Sequence, residues 1–277
     1  MDKLTEVLKV KTIEGYTHPN HLGLVNEIQD NVMLLENAKT VEPPVLLYDY
    51  LEGYLKRRAL TISSAFIIAA RLYLAQSHSS TTLRDFWFGS YIETNYNSSK
   101  GYSIKNILHL EQRISWFISR VTNEPMNPLS IDEIADISIT LAWVEAYFES
   151  GFFPQDLTVM SPSSQTHKDM VNEVKHILLP TIDNFLVPAL NNAKNRVEVF
   201  PKKDSEEYKS TVEPHIKIDN TLVYFKTSGS FDAKKIYGEY RRLKGTVLLY
   251  TDGNTKQKSY TAIMYYPRFD YWLSVEV

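Results

Sequence analysis

Apolar residues in the first two-thirds of the chain recur at intervals of three and four, the period of an amphipathic helix. Val25, Ile28, Val32 and Leu35 follow Pro19-Asn20 at this spacing, and Pro43-Pro44 ends the segment. Leu47, Tyr50, Leu51, Tyr54 and Leu55 form one face of the next helix, with Asp49, Glu52 and Lys56 opposite. Glu52 and Lys56 stand four apart in the order that favours pairing. Ser63 is placed to cap a further helix bearing Phe66, Ile67, Ala70, Leu72 and Leu74. A helix from Thr82 runs into the aromatic stretch FWFGSYIETNYNSSKGY, whose second half is a loop by composition. Ser103 then opens a helix with Ile107, Leu110, Ile114, Phe117 and Val121 inward.

The sharpest local signal is SIDE, from Ser130 to Glu133. A serine followed three residues later by glutamate is a capping box, in which each side chain satisfies a backbone amide near the other residue. The helix beyond it carries Ile134, Ile137, Leu141, Val144 and Phe148 on one stripe and Ile139, Trp143 and Ala146 on a second. Two apolar faces predict a central position in a bundle, and Gly151 sits where a C-terminal cap belongs. Helical spacing resumes from about His167 with Val171, Val174 and Leu178; Pro180 is expected to break or kink that helix. Phe185, Leu186, Ala189 and Leu190 suggest another short helix.

Near Asn195 the period changes to two. RVEVF alternates like a strand, and PKKDSEEYKS is a charged connector. HIKI and TLVYFKT flank Asp219-Asn220, a hairpin signal. TVLLY and SYTAIMYY around TDGNTKQK predict a second hairpin, and DYWLSVEV a last strand, all rich in β-branched and aromatic residues. The expected fold class is therefore α+β: a mainly helical N-terminal domain, 1–195, then a smaller C-terminal domain, 196–277, with an antiparallel sheet and one packed helix.

Composition narrows the chemistry. The 277 residues are 43% hydrophobic, enough for a substantial core, and the net charge of −3 lacks the basic excess of proteins that coat nucleic acid. The charge is uneven: sixteen basic and twenty-two acidic residues precede Arg196, and fourteen basic and eleven acidic follow from there. With no cysteine, thiol catalysis, disulfides and cysteine-ligated zinc are excluded. MDKLTEVLKVK carries no apolar core of signal-peptide length, and the apolar run ALTISSAFIIAA is shorter than a bilayer span of about 20 residues. No membrane association is expected; the expected location is the cytoplasm or a virion.

No catalytic motif stands out. There is no G-x-S-x-G elbow, P-loop or dinucleotide fingerprint. His18 and His21 lie three apart in THPNH without further ligands nearby, and Asp132, Glu133 and Asp136 occupy a helix start, where the dipole favours carboxylates without any metal. Ser228-Gly229-Ser230 fits a turn with an N-cap as well as an anion cradle. Asp219 and Lys226 lack the close acid-x-lysine strand pair of a metal-dependent nuclease. No catalytic, cofactor-binding or metal-ligating residue is assigned, and no cofactor is expected.

Surface features remain. In KKIYGEYRRLKG, Ile236, Tyr240 and Leu243 share one helix face, while Lys234, Lys235, Arg241 and Arg242 project from the other, the layout of a helix on a sheet with its charged side in water. Aromatics beside polar residues mark FWFGSYIETNYN, GFFPQD and MYYPRFDYW as interface material. The candidate interaction surface comprises Phe88, Tyr91, Tyr96, Tyr102, Lys235, Arg241 and Arg242. These features favour a non-enzymatic structural or assembly protein, acting through protein partners or self-association, with a viral or phage virion component as the specific form. The alternatives are a nucleic-acid-associated protein using the basic C-terminal helix, and an enzyme whose site forms only in three dimensions.

Overall fold

The structure, a computed structural model, describes residues 52–77, 108–123, 127–150, 161–193, 197–199, 201, 214–227, 239–240, 242–246, 260–268 and 270–276. This described chain divides near residue 200 into two compact units. The expected limits 1–195 and 196–277 take in stretches outside the described residues and stand as a proposal.

The first unit is helical: α1 (Glu52–Ser77), α2 (Leu108–Asn123), α3 (Ile131–Ser150) and α4 (Gln165–Thr181), with a π turn (Ile182–Leu186) leading into α5 (Val187–Asn192). α3 is central, as its two stripes predict: Ile134, Ala135, Ile137, Ile139, Leu141 and Ala142 are all buried. It packs chiefly on α1, which buries Ile62, Phe66, Ala69, Leu72 and Leu74; α4 lies against both. α2 adds Ile114 and Phe117 to the same core. Burial of each such large side chain contributes about 1.5–3 kcal/mol.

One local expectation fails and a second is narrowed. Ser63 starts no new helix, because α1 runs unbroken through it from Glu52 to Ser77. Pro180, expected to break or kink its helix, does not break it. Thr181 Oγ1 donates to the Ile177 carbonyl at 2.7 Å, and the chain passes directly into the π turn, where the Val187 amide reaches back five residues to the Ile182 carbonyl. Pro180 and Pro188 each remove a helix donor, and the wider turn between them keeps the path helical.

The capping box forms as expected. The Ser130 amide donates to Glu133 Oε2 at 2.8 Å, and the Glu133 amide to Ser130 Oγ at 3.2 Å. Just before it, Gln76 of α1 donates to the Leu129 carbonyl (3.1 Å) and accepts from the Leu129 amide (2.9 Å), so one amide side chain ties the approach to α3 onto α1. Ser130→Ala removes one half of the box and should lower stability by about 1 kcal/mol in urea unfolding.

The sheet follows the order β1-β2-β3-β4-β5, with β1 Val197–Glu198, β2 Ile216–Ile218, β3 Thr221–Phe225, β4 Thr261–Tyr266 and β5 Tyr271–Glu276. β2 and β3 form the expected hairpin, Ile218 opposite Thr221, and Asp219 takes the left-handed conformation (φ 50) that asparagine and aspartate tolerate in tight turns. β4 and β5 form a second antiparallel pair closed by residues 267–270, with Asp270 again left-handed (φ 47).

The sheet is mixed rather than antiparallel, because β3 and β4 run parallel, Thr221 beside Thr261 through Phe225 beside Tyr265. A parallel pair needs a long crossover, and the segment between these strands supplies it, including helical residues 239–240 and 242–246. The expected hairpin of TVLLY with SYTAIMYY is overturned for the same reason. β4 has two edges, β3 and β5 occupy them, and Thr246 is helical. Every described strand still lies from Val197 onward.

Candidate functional site

At one end of the sheet an aromatic row crosses four strands' width. His215, just before β2, stacks on Phe225 of β3 (centroids 5.9 Å, planes 10° apart). Phe225 meets Tyr265 of β4 edge-on at 6.4 Å, and Tyr265 meets Trp272 of β5 at 6.5 Å. Register explains the row: Phe225 is opposite Tyr265, which is opposite Trp272, and directly paired residues share a face. The Phe225 amide donates to His215 Nδ1 at 2.7 Å, which fixes the first ring and leaves that nitrogen unprotonated.

Exposure rises sharply at the end of the row. Tyr265 is fully buried at 0% exposure, whereas Trp272 is 48% exposed. The Tyr265 hydroxyl donates to Asp270 Oδ1 at 2.6 Å, so the carboxylate of exposed Asp270, just before β5, is anchored to the ring that Trp272 meets. On β5, Leu273 and Val275 turn inward while Trp272 and Ser274 are exposed. Nearby charges are engaged within the fold: Lys226 pairs with Glu239 and lies 6.0 Å from the Tyr266 ring centre, and buried Arg268 donates Nε–H to the Thr227 carbonyl at 2.9 Å.

The helical unit holds a second polar constellation. Asp136 of α3 bonds His167 Nε2 of α4 through Oδ1 (2.8 Å) and Arg113 Nη2 of α2 through Oδ2. Arg113 Nε also donates to Thr140 Oγ1 at 2.7 Å. Burial pushes the Asp136 carboxyl up, but the His167 hydrogen bond and the Arg113 charge outweigh it and hold the group below its ordinary value. A histidine–aspartate pair can serve as a general base where substrate reaches the ring. Here His167 is 1% exposed and its Nδ1 is buried, so the arrangement acts as a clasp joining three helices.

The acidic trio at the start of α3 is thus dispersed among separate partners. Glu133 closes the capping box and lies 4.0 Å from Arg120 Nε, Asp132 pairs with Lys175, and Asp136 holds the clasp. Among the described residues no group of three or more potential ligands is placed to hold a metal. Among them, too, no helix is long and apolar enough to cross a membrane.

Of the predicted interaction residues, Arg242 is exposed on the helical segment whose Tyr240 and Leu243 are buried, the two-sided layout expected there. Phe88, Tyr91, Tyr96, Tyr102, Lys235 and Arg241 lie outside the described residues, as do Ile236, His18, His21 and Ser228–Ser230. Trp272 was singled out by sequence only as one aromatic among several in MYYPRFDYW. The structure separates it from its neighbours, since Tyr265 and Tyr266 are buried. Strand alternation carries that signal once the register is known. The Arg113–Asp136–His167 clasp was missed, because its members come from three helices and share no motif.

No protein-family model matches this chain, and no curated protein or solved structure matches it.

Proposed function

We propose that this chain works through protein–protein contact, as a structural or assembly component. The observation that supports this reading is Trp272: a large indole nearly half exposed on β5, the outer strand of the sheet among the described residues. Tryptophan is the residue type most enriched at the energetic centres of interfaces, and an outer strand offers backbone groups to a neighbour. Trp116 on α2, 41% exposed, is a second aromatic available for contact. A specific interface buries at least about 1,000 Å² in total, and permanent assemblies bury several thousand.

Size-exclusion chromatography with light scattering on the pure protein, together with cross-linking mass spectrometry in cells of its source, tests the reading. The expected result is a species heavier than the 32.0 kDa monomer, or intermolecular cross-links from the sheet unit in the cells. A monomer in pure form with no intermolecular cross-link in the cells overturns it.

A further inference from the structure

We draw no further inference here: the strongest candidate, the exposed side of α2 that carries Trp116, is a surface patch for which nothing in the structure shows what covers it.

Discussion

Tyr265→Ala is expected to cost about 4 kcal/mol of folding stability, while Trp272→Ala, the next residue in the same aromatic row, costs under about 1 kcal/mol. The contrast follows from burial. The Tyr265 ring is wholly enclosed and touches Phe225 on one side and Trp272 on the other. Its removal loses the transfer energy of a large side chain, leaves a cavity and strips Asp270 of its hydroxyl donor. The Trp272 indole is nearly half in water already and leaves no closed cavity. Urea unfolding of both variants, monitored by far-ultraviolet circular dichroism, makes the comparison. Equal losses would show that Trp272 belongs to the core and would remove the main support for an interaction surface on β5.

The second large effect is expected at Asp136. Asp136→Ala leaves the Arg113 guanidinium and the buried His167 Nε2 without their shared acceptor, and should lower stability by about 2 kcal/mol. That figure is set below the usual cost of breaking a buried ion pair because the carboxylate side chain is 36% exposed. Asp132→Asn, which removes a carboxylate 74% exposed beside Lys175, should cost under about 0.5 kcal/mol. The clasp also predicts a pH dependence. The folded Asp136 carboxyl ionises below its ordinary value of 3.8, so its contribution is fully present above that value and disappears as pH falls through the lower, folded one. Stability of the parent should therefore decline more steeply than that of Asp136→Ala on the acid side of pH 4, and parallel curves would show that the clasp adds nothing.

The helices were legible wherever one residue type settled the local geometry. SIDE announced the start of α3, and its doubled stripe announced burial on both faces, because capping and periodicity act over a few residues. Asp219-Asn220 announced the β2–β3 hairpin for the same reason. Pairings decided over long separations were not legible. TAIMYY is equally suited to a parallel or an antiparallel neighbour, and only the crossover from Phe225 to Thr261 selects between them. At Pro180 the sequence left a break and a kink open, because a proline removes one donor but does not dictate whether the next turn widens to compensate. The two sites differ likewise. The aromatic stretch that contains Trp272 stood out by composition, but which of its rings faces water depends on strand register, and the clasp depends on the meeting of α2, α3 and α4.

The parallel seam between β3 and β4 also sets an order of assembly. Residues 216–225 can close their hairpin as soon as they exist, since the turn is two residues long and loops of this kind form in microseconds. The β4–β5 hairpin is equally local, joined by a short turn at 267–270. The joint between these two ready-made halves has no local route and must wait for a crossover of more than thirty residues to be drawn in, at an entropic cost met before any cross-strand bond rewards it. During synthesis the first hairpin therefore stands with one edge bare until residue 276 is available to complete the second, and that interval is when the sheet unit is most open to pairing with the wrong strand.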